Sequence, residues 1–264
     1  MRKLSSHQIL NLLFTLLTIT VNVLANALPL NGQGTGEISD RFAVYFVPDG
    51  YVFLIWGLIY LGLIAFAIFQ ALPSQRDNPL LKRISPAFWL ANLANSAWIF
   101  LWHYEFFPLT LLAMGSLLAS LLYIYRQISL ARSGFERNQK WLIQLPFSIY
   151  LGWISVATIA NIAQVLFYLD WSAWGLDPAV WTVIMLAVAT TLGLTLFARE
   201  HDRAYGLVLI WAFVGIAIKQ STEPVVASTS WAAAGLLSLA GIVYPFRTRS
   251  FMGSQRTSPM EDPK

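Results

Sequence analysis

The chain has no cysteine, which excludes disulfides, thiolate nucleophiles and thiolate-bound metals. Charge is scarce too. Only 11% of the 264 residues are charged, against roughly a quarter in a soluble domain. Histidine is limited to His7, His103 and His201. His7 sits beside the N-terminus and His201 between Glu200 and Asp202 in a polar loop. His103 and Glu105 are two residues apart, a spacing that points them away from each other on a helix. His103 is therefore read as a residue snorkelling to the membrane interface, and no metal site is expected. No carboxylate pair lies inside an apolar run, which argues against a proton-coupled relay. The alternating glycines of Asn31-Gly32-Gln33-Gly34-Thr35-Gly36 lack a preceding strand and a following Gly-Lys-Ser/Thr, so they are read as loop, not as a phosphate cradle.

What the chain has is apolar length. Hydrophobic residues make up 57% of it, gathered in eight runs near 8–28, 50–72, 87–106, 109–127, 141–168, 178–198, 204–222 and 225–245. A membrane-spanning helix takes about 20 residues. The expected fold class is all-α, a polytopic integral membrane bundle of eight transmembrane helices. Threading these runs back and forth puts fifteen of the seventeen Lys and Arg residues on one side, leaving only Arg41 and Lys219 on the other. Cationic loops resist translocation, so the basic side is read as cytoplasmic. The expected location is the cytoplasmic (plasma or inner) membrane with N- and C-termini cytoplasmic. The net charge of +4 then reflects topology and anionic headgroups, and no nucleic acid partner is expected. Met1-Arg2-Lys3, the following apolar stretch and Ala25-Asn26-Ala27 also fit a cleavable signal peptide. A retained first helix is the expectation, because the stretch is longer than a usual signal core.

Proline and glycine punctuate the runs, as expected where helical geometry stops. Pro29 closes the first and Pro48-Asp49-Gly50 opens the second. Pro86 is expected to start the third, and Pro245 to end the last. Residues 248–264 are expected to form a disordered cytoplasmic tail, being polar and aperiodic.

Eleven tryptophans give the runs a second pattern. Trp89, Trp141, Trp171, Trp174 and Trp181 fall at run ends, where indoles form interfacial belts. Trp56, Trp98, Trp102 and Trp153 lie deeper, beside polar residues. Asn95, Trp98 and Trp102 share one helical face, with Asn92 on the same side; Phe53, Trp56 and Tyr60 share another. Trp153, Ala157 and Asn161 form a third such stripe. An asparagine amide cannot face hydrocarbon unpaired, so Asn92, Asn95 and Asn161 point inward, either to another helix or to a ligand. Small residues at Gly152, Ser155, Ala157 and Ala160 permit close helix packing or room for a guest. Aromatic walls with a few amides suit a flat apolar molecule.

Three blocks carry a family likeness: Tyr51-Val-Phe-Leu-Ile-Trp56-Gly-Leu-Ile-Tyr60, Asn95-Ser-Ala-Trp98-Ile-Phe-Leu-Trp102, and Trp153-Ile-Ser-Val-Ala157-Thr-Ile-Ala-Asn161. In these the chain resembles the TspO/MBR family, the tryptophan-rich sensory or translocator proteins. It departs from the family pattern at Pro48-Asp49-Gly50, where a double proline is usual, and at Tyr51, where tryptophan is usual. The resemblance implies a TspO-like five-helix bundle over residues 1–170. Residues 171–247 would add three transmembrane helices that small members of the family lack. It further implies a pocket under the loop at 28–49 that binds a porphyrin or other tetrapyrrole non-covalently. Its walls would be Phe53, Trp56, Tyr60, Asn92, Asn95, Trp98, Trp102, Trp153, Ala157 and Asn161. The expected function is therefore that of a membrane receptor, sensor or carrier for a planar apolar ligand. No covalent cofactor or catalytic residue is expected, although the resemblance admits photochemical porphyrin breakdown. Expected partners are the lipid bilayer, a small apolar ligand and a second copy of the chain in a homodimer. A permease using all eight helices and a membrane scaffold or assembly factor are the competing readings.

Overall fold

The computed structural model describes residues 4–254, with side chains through residue 243. Eight long helices and one short one make up its frame. The long helix α1 (Ser6–Ala27) is followed by the short α2 (Thr35–Asp40). Then come α3 (Gly50–Ala71, its first turn 3₁₀), α4 (Pro79–His103), α5 (Phe107–Ala131) and α6 (Arg137–Tyr168). The chain ends with α7 (Pro178–Glu200), α8 (Arg203–Lys219) and α9 (Pro224–Ser254). Among the described residues there is no strand.

Six helices (α1, α3, α5, α6, α7 and α9) are long and apolar enough to cross a membrane. The other two have identifiable reasons for falling short. α8 has 17 residues. α4 carries buried Asn92, Asn95 and Ser96 along its length, groups that lower its hydropathy and find partners on neighbouring helices instead. Large apolar side chains such as Leu16, Leu61, Leu112 and Leu239 are 62–70% exposed or close to it on the outer surface, as lipid-facing positions are in a bundle whose solvent is hydrocarbon.

Side-chain contacts follow an up-and-down order. Gln8 on α1 meets Gln70 at the far end of α3, and Arg83 near the start of α4 meets Gln127 near the end of α5. Thr110 on α5 meets Asn161 on α6. The contacts α1–α4, α4–α5, α5–α6, α6–α3 and α3–α1 close into a five-helix ring. α7, α8 and α9 pack on one another, and α8 joins them to the ring along α6. That seam is tight because Gly152 on α6 has no side chain. A Cβ there would lie 3.1 Å from Val208 and 3.2 Å from the Tyr205 carbonyl. Gly152 therefore serves packing, one of the two roles open to the small residues of this helix.

Three boundaries differ from the sequence expectation. α4 begins at Pro79, not Pro86. The Asn78 side chain accepts from the Leu80 and Leu81 N–H groups and caps the helix seven residues earlier. Pro86 then sits inside α4, at the cost of the one backbone bond its missing N–H would have made. α9 runs past Pro245 to Ser254, and proline is likewise tolerated within membrane helices when neighbouring groups compensate. The remainder of the expected tail lies outside the described residues. α6 starts at Arg137, earlier than the expected 141, and carries a π-helical stretch over Lys140–Gln144, two residues before Pro146.

Candidate ligand pocket

The interior of the ring is divided along its axis. Toward the basic ends of the helices, Phe66 on α3, Phe88 on α4 and Phe147 on α6 meet edge-on, with centroids 4.9–5.9 Å apart. All three are fully buried and plug that half. Toward the other end a hollow of about 50 Å3 remains. Phe53, Trp98, Trp102 and Trp153 line it together with Ala157, Ala160, Asn161 and Gln164. The crossover between α1 and α3 covers it, contributing Thr35, Ser39, Val47 and Pro48. Ala157 and Ala160 thus supply room, the other role open to small residues on α6.

Ring geometry explains how the aromatics hold this wall. Trp98 and Trp102, one helical turn apart, stack at 5.2 Å and 16°. Phe53 meets Trp153 edge-on at 5.7 Å. Trp56 stacks on Tyr60 and meets Trp153 edge-on at 6.2 Å. Offset and edge-on arrangements are those that the aromatic quadrupole favours.

Six of the ten residues expected at the pocket therefore line the hollow: Phe53, Trp98, Trp102, Trp153, Ala157 and Asn161. The other four do not. Trp56 and Tyr60 lie behind Trp153 and Tyr150. Asn95 donates to the Tyr150 hydroxyl at 2.8 Å and accepts from Asn22 on α1 at 2.7 Å. The Asn92 amide donates to the Phe88 carbonyl, while its backbone carbonyl accepts from Thr18. Asn95 is thus interhelical glue, the alternative to ligand contact that the sequence left open. Asn161 does both: it lines the hollow, accepts from the Trp98 indole at 3.1 Å and donates to Thr110.

Sequence reasoning missed the partner of this glue. Gln8, Asn11, Thr15, Thr18 and Asn22 are all buried on one face of α1. Their 3–4 spacing is that of a helix–helix seam, so the signal was present, but in polar residues. Asn11 donates to Gln70 and Ser85 and accepts from the Trp89 indole at 2.7 Å. Those bonds bind α1 to α3 and α4 as a structural member of the ring.

Four buried side-chain atoms have no hydrogen-bond partner among the described residues: Asn92 Oδ1, Ser96 Oγ, Trp153 Nε1 and Ser230 Oγ. Of these residues only Trp153 lines the hollow. A buried donor left unpaired costs about 1–3 kcal/mol, which an acceptor on a guest would return.

The cover is fastened on both sides. On the α4 side His103 is 1% exposed, not snorkelling as expected. Its ring contacts the Leu30 carbonyl at 3.0 Å and the Thr35 hydroxyl at 2.9 Å. An imidazole with both ring nitrogens hydrogen-bonded can be buried under the loop, which removes the need to reach water. The Trp102 indole donates to the Thr35 carbonyl, Asn31 donates to the His103 carbonyl, and Arg41 pairs with Glu105 at 2.8 Å. On the α8 side Lys219 pairs with Asp40 at 2.6 Å and Gln220 donates to the Tyr45 carbonyl. The Asp49 N–H donates to the Gly215 carbonyl. Gly215 must be glycine here, since a Cβ would fall 2.1 Å from the buried Val52. Burial, and next the Glu223 carboxylate, push the Tyr45 phenol above its ordinary value, so it stays protonated as a donor.

A ring of helices around an aromatic-walled hollow, roofed by its first crossover, in a chain with six helices able to cross a membrane, defines a polytopic membrane protein. The family model described as TSPO-like protein matches residues 8–243, and the chain belongs to that family. The match runs through α7 and α8 into α9, so it includes the helices that the sequence reading set apart after residue 170. No curated protein and no solved structure matches the chain.

Proposed function

We propose that the chain is a membrane receptor, sensor or carrier that binds a planar apolar molecule of the porphyrin or tetrapyrrole class in the hollow under residues 28–49. The observation that carries this reading is the pairing of an unsatisfied Trp153 N–H with a wall of Phe53, Trp98 and Trp102 rings. Stacking on these rings would supply most of the affinity, and Trp153 would orient one acceptor of the guest. Small-molecule sites usually offer roughly 300–1,000 Å3, whereas this hollow has about 50 Å3. Binding of a tetrapyrrole therefore requires the crossover to lift. The eight-helix topology, with both termini on the cytoplasmic, basic side, belongs to the same proposal.

The test is titration of purified protein with protoporphyrin, read as tryptophan quenching. Saturable quenching is expected, with affinity at least tenfold weaker in Ala157→Trp, which fills the hollow. Quenching that Ala157→Trp leaves unchanged overturns the reading.

A further inference from the structure

Two further cavities lie along the α6–α8 seam, apart from the roofed hollow. At the basic ends of these helices is a pocket of about 260 Å3 whose lining includes Lys140, Trp141, Ser148, His201, Asp202 and Arg203. Beside it runs a groove of about 430 Å3 walled by α3, α6 and α8, with Leu54, Leu58, Ile149, Leu207 and Trp211 among its lining. Leu145 and Ala204 line both, so the polar pocket and the apolar groove adjoin.

The charges in this pocket are unmatched. The cations Arg41, Lys82, Arg132 and Lys219 each hold an acidic partner. Lys140 and Arg203 hold none among the described residues, and both are exposed. Asp202 is not their counter-ion. It is buried, and its carboxylate accepts from the Tyr125 hydroxyl, the Ser148 hydroxyl and the Tyr205 N–H. Lys140 and Arg203 against one committed carboxylate leave the pocket with positive charge in excess. Trp141 stands 60% exposed at its rim, the habit of an indole at headgroup level. Two local irregularities shape the pocket: the π-helical stretch that begins at Lys140, and His201 in the left-handed region at φ 52°.

We infer that this seam is a binding site for an anionic glycerophospholipid of the surrounding bilayer. Its phosphate sits between Lys140 and Arg203, and one acyl chain lies in the groove up to Trp211. A monoanionic phosphodiester matches the excess charge, and an alkyl chain is what a membrane offers a groove lined almost wholly by apolar side chains. Trp211 closes the far end as a fixed wall, because its indole donates to the Val52 carbonyl at 3.0 Å. A free phosphate shares the headgroup chemistry but has no use for the groove.

Native mass spectrometry of the delipidated full chain tests this, with phosphatidylglycerol, phosphatidylcholine and glycerol 3-phosphate as separate probes. Phosphatidylglycerol should be retained at least tenfold over phosphatidylcholine. Joint Lys140→Gln and Arg203→Gln substitution should weaken its retention on the order of thirtyfold, the loss expected for two interfacial cations. The charge-keeping pair Lys140→Arg and Arg203→Lys should retain it, which separates lost charge from lost folding. Ala204→Trp, which blocks the junction, should also lose it. Equal retention of the two lipids, or retention that survives the double glutamine variant, overturns the site. Displacement of phosphatidylglycerol by millimolar glycerol 3-phosphate overturns the role given to the groove.

Discussion

The α1 seam and the wall of the hollow are both buried in the same ring, yet their polar atoms meet different fates. Along α1, Gln8, Asn11 and Asn22 reach across to Gln70, Ser85, Trp89 and Asn95. In the hollow, Asn161 is satisfied by Trp98 and Thr110, while Trp153 keeps an unpaired N–H. A polar group that finds its partner on a neighbouring helix is cement, and one left unpaired in the wall of a hollow is an opening for something else. The contrast separates residues that sequence alone groups together: Asn95 and Asn161 are both paired to neighbouring helices, whereas Trp153 is not.

The comparison can be broken most forcefully at Asn11. Asn11→Leu removes three side-chain hydrogen bonds and strands the Trp89 indole, so it should destabilise the fold by about 2–3 kcal/mol. Single hydrogen bonds between membrane helices average nearer 0.6 kcal/mol. Reversible unfolding in mixed micelles measures this, and a loss below about 0.5 kcal/mol would end the view of α1 as cemented. A smaller and opposite pattern is expected at Trp153. Trp153→Phe removes an unsatisfied donor, so stability should change by less than about 1 kcal/mol, while protoporphyrin binding weakens about fivefold, the worth of one hydrogen bond. Equal protoporphyrin affinity in the two proteins would show that the indole N–H meets no guest. The smallest effect belongs to the cover. Lys219→Gln breaks a partly exposed ion pair worth about 0.5 kcal/mol. It should accelerate protoporphyrin association in stopped-flow quenching, and added salt should imitate it in the parent chain. An association rate indifferent to both would detach the α8 fastening from entry.

Much of the frame was legible in the residues. Apolar run length gave the eight long helices, and Pro48-Asp49-Gly50 marked the start of α3, which begins at Gly50. The start of α4 escaped this reading because Lys82, Arg83 and Ser85 interrupt the apolar pattern of its first turns and its cap is set by Asn78, a local hydrogen bond that hydropathy does not register. Within the site, Trp98, Trp102, Trp153 and Asn161 were found because large indoles and an amide at helical spacing are informative at any depth. Asn92 and Asn95 were grouped with them because a face of α4 can be read from spacing, whereas the partner that occupies it, α1, comes from 70 or so positions earlier in the chain. The same distance hid the burial of His103 by Leu30 and Thr35. Long-range pairing is a property of the assembled ring, and no window on the sequence contains it.

The roof is moored along two unlike banks. Its landward bank is α4, where a buried imidazole and an indole grip backbone atoms. The seaward bank is α8, where an ion pair at Lys219 and single bonds at Gln220 and Gly215 suffice. A guest that prised the roof free would cast off from α8 first, and the slackened line would be felt at once by the trailing trio.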